Sequence, residues 1–119
     1  METRTATVWL TYDLGVGGDF QGLYSWLDDN EAIECGNNCA YIRNYKFPNY
    51  VIRDNDFAEF LKKDLEGKVK FNSGSRVYIV RSSIEIDKGR RSIGSFVIGK
   101  RKASPWEGFG TKTENTVDE

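Results

Sequence analysis

Residues 5–27 read TATVWLTYDLGVGGDFQGLYSWL, and this stretch decides the fold. Between residues 5 and 14, apolar side chains alternate with other side chains, and this period of two predicts a strand with one buried face. The opposite face then carries Trp9, Thr11 and Asp13, and it is either partly open or covered by a partner. Asp13 lies at the C-terminal end of the predicted strand.

A glycine turn and a helix follow the strand. Residues 15–18 break the strand pattern, and Asp19 can cap the N-terminus of a helix. The turn is either a flexible connection or a set of backbone amides that can hold a phosphate. One apolar stripe at helical spacing comes next, made of Phe20, Leu23, Tyr24 and Leu27. The acidic residues 28–29 predict that the helix ends there.

The rest of the chain predicts four more strands and one more helix. The strands are expected at 32–35, 38–45, 76–82 and 92–101. Gly36-Asn37-Asn38, between the first two, is either a hairpin turn or a bulge. The second helix opens at Asp54, with Asp56 and Glu59 in the spacing of a capping box. Residues 47–50 are expected in a loop.

This order of elements predicts an α+β fold. The pattern β-α-β(β)-α-β-β fits a single-domain ferredoxin-like sandwich, an antiparallel sheet with two helices on one face. The domain is expected over residues 1–109, with a disordered C-terminal tail at 110–119. Trp106 and Phe109 are expected to fold back onto the body.

Composition excludes several classes of function. The 119 residues contain no histidine, so Ser-His and Cys-His catalysis and histidine metal sites are excluded. Cys35 and Cys39 have neither the spacing nor the further ligands of a zinc site, and they are expected to be buried or half-buried thiols. The sequence shows no apolar run of the roughly 20 residues that a membrane helix needs. A cytoplasmic location without membrane contact is expected.

Charge is unevenly distributed along the chain. Residues 1–60 carry four basic and ten acidic side chains, whereas residues 61–119 carry thirteen and eight. The most basic stretch predicts a nucleic-acid-binding surface and consists of Lys88, Arg90, Arg91, Lys100, Arg101 and Lys102. Aromatic side chains that can stack on bases are Tyr41, Tyr45, Tyr78, Phe96 and Trp106. The alternative is a solvated hairpin whose charges protect an edge strand.

Asp13 is the candidate catalytic and metal-binding residue. A carboxylate at the end of a strand can bind Mg²⁺ or Mn²⁺, which prefer oxygen ligands. One carboxylate is too few for a metal site, but a symmetric homodimer would bring a second Asp13 across its two-fold axis. The alternative is that Asp13 accepts hydrogen bonds from amides of the glycine turn.

Three segments carry a resemblance to a known family. They are YDL with the glycine turn and LYSWL, then FLKKDLEGKVKFNSGSRVYIVRSS, and finally IGKRK. Over roughly residues 6–102 the chain resembles the small ferredoxin-like nuclease subunit of the CRISPR adaptation complex and its relative, the VapD toxin. The resemblance implies a ferredoxin-like homodimer. In that group an aspartate matching Asp13 closes the first strand, and some members cleave RNA or DNA with a divalent metal.

Two functions follow as hypotheses. The first is a homodimer that binds RNA or DNA, with Mg²⁺- or Mn²⁺-dependent endonuclease activity centred on paired Asp13 residues as a further step. Whether the protein is an enzyme stays open. The second is a non-catalytic small-molecule-binding or protein-interaction module of the same fold, because one fold supports many functions.

Overall fold

The computed structural model describes residues 2–111, which form five strands, two α-helices and one 3₁₀ turn. The elements are β1 (Thr3–Asp13), α1 (Phe20–Asp29), β2 (Ile33–Glu34), β3 (Cys39–Pro48), α2 (Asp54–Glu66), β4 (Arg76–Ser82), a 3₁₀ turn (Ile86–Lys88) and β5 (Ser92–Ile98). The predicted disorder of residues 110–119 falls, beyond residue 111, outside the described residues.

The strands of residues 2–111 form one sheet in the order β2-β3-β1-β4-β5, and every neighbouring pair is antiparallel. β3 lies between β2 and β1, so the two strands that flank α1 are not neighbours. The predicted α+β class and the antiparallel sheet are therefore confirmed.

Both helices cover the same face of the sheet. Tyr45 of β3 is fully buried, and its ring centroid lies 5.9 Å from that of Trp26 in α1. It also lies 5.9 Å from the ring centroid of Phe57 in α2. One apolar core forms between the sheet and the helices, and its largest fully buried side chains include Phe47, Leu10 and Leu23. The other face of the sheet carries no helix in the described residues.

Asp19 fixes the start of α1, as predicted. Its Oδ1 accepts a hydrogen bond from the Gly22 amide at 2.9 Å, and its Oδ2 accepts one from the Lys70 amide at 2.9 Å. The second bond ties the segment after α2 to the first turn of α1. Gly22 permits this approach, because a Cβ atom there would lie 2.7 Å from the Lys68 carbonyl oxygen.

Two strand boundaries differ from the prediction. β3 continues to Pro48, because β1 already begins at Thr3 and pairs with it there. β5 ends at Ile98 rather than at residue 101. Gly99 has a φ of +77°, a conformation that L side chains rarely adopt, and it turns the chain out of the sheet.

The start of α2 is not a capping box. The helix begins at Asp54, so Asp56 already lies in its first turn and cannot be the N-cap residue. Arg53 occupies that position, and no side-chain cap forms there within the described residues. Glu85 takes over this role from a distant segment, because its Oε2 accepts a hydrogen bond from the Asp54 amide at 2.9 Å.

Asp54 also holds the connection between β4 and β5 against α2. Arg81 of β4 has a buried side chain, and its Nη1 lies 2.7 Å from the Asp54 Oδ1. The Ser83 hydroxyl donates to the Asp54 Oδ2 at 2.7 Å, and the Ile84 amide donates to Oδ1 at 2.9 Å. This cluster is the buried polar joint of the fold.

Gly36-Asn37-Asn38 is a hairpin turn, one of the two predicted alternatives. β2 pairs with β3 through Ile33 opposite Tyr41, and the Cys39 amide donates to the Gly36 carbonyl at 3.2 Å. The prediction of buried thiols is wrong for Cys35, which is exposed, whereas Cys39 is half-buried. Cys35 lies at an edge strand of two residues, which supplies too little structure to cover it.

The aromatic side chains after β5 do not pack onto the body as predicted. Trp106 is 72% exposed and Phe109 is 84% exposed. Local turns form here instead, with the Phe109 amide donating to the Trp106 carbonyl at 3.0 Å.

Candidate nucleic-acid interface

The sheet face opposite the helices carries aromatic side chains from four neighbouring strands. Trp9 of β1 is paired with Tyr41 of β3, and Tyr78 of β4 is paired with Phe96 of β5. Their strand neighbours on either side, such as Val8 and Ile79, are buried under the helices, so the period of two turns these rings to the open side. We call these four residues the aromatic face.

The aromatic face contains two ring pairs. The ring centroids of Trp9 and Tyr41 are 4.3 Å apart, with an interplanar angle of 33°. The centroids of Tyr78 and Phe96 are 4.8 Å apart, in an edge-on arrangement at 68°. Trp9 is 46% exposed and the other three rings are half-buried. Both pairs therefore present ring surface to solvent.

Gly94 determines how Tyr78 lies. Gly94 sits in β5 opposite Val80, and a Cβ atom there would overlap the Tyr78 hydroxyl and ring. The Tyr78 side chain thus lies across the backbone of the neighbouring strand instead of standing away from the sheet.

Two arginines flank the second ring pair. The guanidinium carbon of Arg101 lies 5.5 Å from the Tyr78 ring centroid and 5.4 Å from that of Phe96. The guanidinium carbon of Arg76 lies 5.8 Å from the Phe96 centroid. These distances are within the range of cation–π contacts. The turn at Gly99 brings Arg101 back over the sheet. Only glycine fits at position 99, because a Cβ atom on this residue would lie 2.6 Å from the Ser75 carbonyl oxygen.

A cavity of about 420 Å³ adjoins this ring pair. It is lined by Asp13, Arg76, Arg101, Tyr78, Phe96 and the hairpin residues Asn37 and Asn38, among others. The lining combines ring surface with two cations, one carboxylate and two amide side chains.

Asp13 stands at the rim of this cavity with an exposed side chain. Its Oδ1 accepts a hydrogen bond from the Gly15 amide at 3.3 Å, as the second sequence interpretation predicted. Its Oδ2 lies 3.6 Å from the Arg76 Nη2, and the two residues are directly paired across β1 and β4. No group of three or more acidic or cysteine side chains that could hold a metal ion occurs in residues 2–111. The predicted Mg²⁺ or Mn²⁺ site therefore still needs a second copy of the chain.

The structure divides the predicted basic stretch between the two ends of β5. Lys88, Arg90 and Arg91 precede the strand, and Lys100, Arg101 and Lys102 follow it. The seven residues of β5 separate the two groups by about 20 Å. Lys88 forms an ion pair with Glu85 at 3.3 Å. Only the second group includes a side chain over the aromatic face.

Three of the five predicted stacking residues lie on the aromatic face, namely Tyr41, Tyr78 and Phe96. Tyr45 does not, because its ring is fully buried and its hydroxyl donates to the Asp64 Oδ2 at 2.8 Å. Trp106 lies in the segment after the sheet.

A bulge explains the position of Tyr45. One residue of β1 lies between Ala6 and Val8, but two residues of β3 lie between their partners Tyr45 and Ile42. The extra residue reverses the alternation, so Tyr45 turns away from the side that Tyr41 faces.

Trp9 was not predicted as a stacking residue. The alternation in residues 5–14 placed Trp9 on the open side of the sheet. Its large aromatic ring on that side was the signal that could have identified it as a stacking residue. The partner ring, Tyr41, lies 32 residues away in the sequence and becomes its neighbour only through strand pairing.

No helix within residues 2–111 is long and apolar enough to cross a membrane. The chain matches no protein-family model, and neither a curated protein nor a solved structure is significantly similar to it. The resemblance to the CRISPR-associated nuclease and VapD group therefore stays a prediction.

Proposed function

We propose that this protein binds single-stranded RNA or DNA on its aromatic face. The observation that carries the proposal is the two partly exposed ring pairs on an open sheet face, with Arg76 and Arg101 beside one of them. Bases stack on aromatic rings whatever their sequence, and guanidinium groups attract the phosphates that link them. The proposal thus predicts binding with little sequence preference.

The geometry favours a single strand over a duplex. The ring pairs lie on β3 and β1 and on β4 and β5, so they are two strand spacings, or about 10 Å, apart. Two unpaired bases of one strand can occupy them separately. In a duplex the base faces are already stacked on one another and cannot reach these rings.

We also propose that the fold is ferredoxin-like. Support comes from the order of the first four strands, in which β3 is inserted between β2 and β1 and β4 lies on the far side of β1. This arrangement is what a split β-α-β unit of the ferredoxin-like pattern would give, and it supports the proposal. β5 is then an additional strand at the edge, and it contributes Phe96 to the aromatic face.

The test compares binding of fluorescently labelled single-stranded oligonucleotides by wild type, Trp9→Ala and Tyr78→Ala. Each variant is expected to bind about ten-fold or more weakly, because stacking is worth about 1–3 kcal/mol per base. Trp106→Ala is the matched control, since it removes an aromatic side chain that is 72% exposed and belongs to neither ring pair. Its affinity is expected to equal that of wild type.

The salt dependence of oligonucleotide binding distinguishes the contribution of the arginines from that of the aromatic rings. Replacing Arg101 by Gln is expected to weaken binding and to reduce the slope of log affinity against log salt by about 0.7. Trp9→Ala is expected to leave that slope unchanged.

Two results would contradict the proposal. One is no binding to any single strand at low salt. The other is binding that Trp9→Ala and Tyr78→Ala leave intact. If these two variants instead dissociate a homodimer without changing oligonucleotide binding, the aromatic face is a protein interface.

A further inference from the structure

Cys35 and Cys39 face each other across the β2–β3 hairpin turn. Their Sγ atoms are 3.3 Å apart, and the Cys35 thiol donates a hydrogen bond to the Cys39 sulfur. The Cys35 amide also donates to the Cys39 carbonyl at 3.3 Å, and the two cysteines follow directly after the ladder pair of Glu34 and Ala40. Both side chains point to the open side of the sheet, because Cys39 is paired with Thr11 two residues from Tyr41.

The two thiols are positioned to form a disulfide bond. Directly paired residues of antiparallel strands have Cα atoms about 4.5–5.5 Å apart, within the range that a disulfide spans. The three-residue turn between them already brings the two cysteines opposite each other. Closing the bond needs a small approach of the two sulfurs and no change of strand pairing.

Access to solvent distinguishes this pair from buried structural thiols. Cys35 is exposed and Cys39 is half-buried, so a small oxidant can reach at least one sulfur directly. The hydrogen bond to Cys39 raises the pKa of the Cys35 thiol. The reaction is therefore expected to accelerate as the pH rises and thiolate forms.

We propose that Cys35 and Cys39 form a reversible intramolecular disulfide by exchange with a low-molecular-weight disulfide of the glutathione type. One cysteine thiolate attacks the small disulfide, forms a mixed disulfide with one half and releases the other half as a thiolate. The second cysteine thiolate then attacks the protein sulfur of the mixed disulfide and releases the remaining half. The protein loses two protons and two electrons, and the small disulfide becomes two thiols.

The bond would fix a segment that is otherwise weakly held. β2 contains two residues, and its pairing with β3 is short. Asn37 and Asn38, inside the closed loop, line the cavity beside Tyr78 and Phe96. Oxidation thus makes the rim of that cavity rigid. The disulfide itself does not depend on the proposed binding function.

The experiment equilibrates the full-length protein in buffers of defined reduced and oxidised glutathione ratio, followed by acid quenching and mass spectrometry. Wild type is expected to lose two hydrogen atoms without gaining glutathione. Peptide mapping without reductant is expected to find Cys35 linked to Cys39. Excess dithiothreitol is expected to restore the reduced mass.

Cys35→Ser and Cys39→Ser are the matched controls. Each retains one thiol, and each is expected to stop at the mixed disulfide with glutathione because no second thiol can displace it. Amide hydrogen exchange across residues 33–41 supplies an independent readout and is expected to slow on oxidation of wild type only.

Three results would overturn the proposal. They are a wild-type protein that stays reduced in excess oxidised glutathione, one that accumulates two glutathione adducts, and one that forms disulfide-linked dimers instead. Failure of oligonucleotide binding would leave the proposal intact, because the mass measurement requires no nucleic acid.

Discussion

At the scale of single residues, Asp13 and Asp54 each form an ion pair with an arginine of β4, but they have opposite environments. Asp54 is buried and receives hydrogen bonds from Arg81, Ser83 and the Ile84 amide. Asp13 is exposed, and its ion pair with Arg76 spans 3.6 Å. Buried paired charges are strongly destabilising when one partner is removed, whereas exposed pairs contribute about 0–1 kcal/mol. Asp54 is therefore expected to contribute more to the free energy of unfolding than Asp13.

Replacing Asp54 is expected to destabilise the protein strongly. Asp54→Asn leaves the buried Arg81 guanidinium without its counter-charge, and we expect the free energy of unfolding to fall by about 3 kcal/mol. Asp13→Asn, the matched control, is expected to change it by less than about 1 kcal/mol. Urea denaturation followed by circular dichroism measures both. Equal effects of the two substitutions would show that the Asp54 cluster is not a stabilising joint.

The same cluster predicts an acid limit to stability. Burial favours the neutral carboxyl, but hydrogen bonds from Ser83 and Ile84 and the ion pair with Arg81 outweigh it and lower the pKa of Asp54 to about 2. An unfolded aspartate has a pKa near 3.9. The stabilisation is therefore complete above about pH 4 and is lost as the pH falls toward 2.

Urea unfolding at pH 6, 4, 3 and 2 tests this dependence. Wild type is expected to lose about 2 kcal/mol more than Asp54→Asn between pH 6 and pH 2, since the variant has no carboxyl to protonate. Parallel losses in the two proteins would assign the acid sensitivity to other groups.

At the scale of elements, the β4–β5 hairpin controls the shape of the aromatic face. Tyr78 can lie across β5 because Gly94 has no side chain, and Arg101 returns over the rings because Gly99 turns the chain at a φ of +77°. Two glycines thus arrange one ring and one cation.

Gly94→Ala is expected to weaken oligonucleotide binding without unfolding the protein. The added methyl group displaces the Tyr78 ring, and we expect a loss of about ten-fold, comparable with Tyr78→Ala. Gly67→Ala is the control, because a Cβ atom there meets only ordinary contacts at 3.5 Å. Fluorescence anisotropy measures affinity, and thermal melting verifies the fold. Wild-type affinity in Gly94→Ala would show that the position of Tyr78 is unimportant for binding.

At the scale of the whole molecule, the predicted metal site would need two copies of the chain, because one chain supplies a single Asp13 carboxylate. Asp13 lies in the cavity beside the aromatic face, so a strand bound there would pass close to its carboxylate. Catalysis by Asp13 with Mg²⁺ or Mn²⁺ nevertheless depends on a second carboxylate from another copy. The homodimer and the nuclease activity are thus linked predictions.

Both parts can be measured. The paired-aspartate hypothesis predicts a dimer in analytical ultracentrifugation and cleavage of a single-stranded oligonucleotide by wild type with Mn²⁺. Asp13→Ala is expected to lose cleavage while its affinity for the oligonucleotide without metal changes less than about three-fold, since a surface carboxylate contributes little to binding. Equal cleavage by both proteins, or a monomer without cleavage, would contradict the paired-aspartate hypothesis.

The sequence by itself determined the elements whose signals are local. The alternation in residues 5–14 and the Asp19 cap each depend on residues close by in the sequence. The helical spacing from Phe20 also predicted α1, but only part of its predicted buried stripe is correct, because Leu23 and Leu27 are buried whereas Phe20 and Tyr24 are exposed. Composition was also sufficient to exclude histidine-dependent catalysis and histidine metal sites, and to show that most basic residues lie in the second half of the chain.

Only the tertiary structure decided which aromatic rings form one surface. Tyr41 and Tyr45 are four residues apart and would share a face in a regular strand, but the bulge in β3 sends one outward and the other into the core. Strand pairing likewise brought Trp9 to Tyr41, and the β2–β3 hairpin brought Cys35 to Cys39. Bulges and strand register arise from contacts between distant segments, and periodicity within one segment carries no information about them.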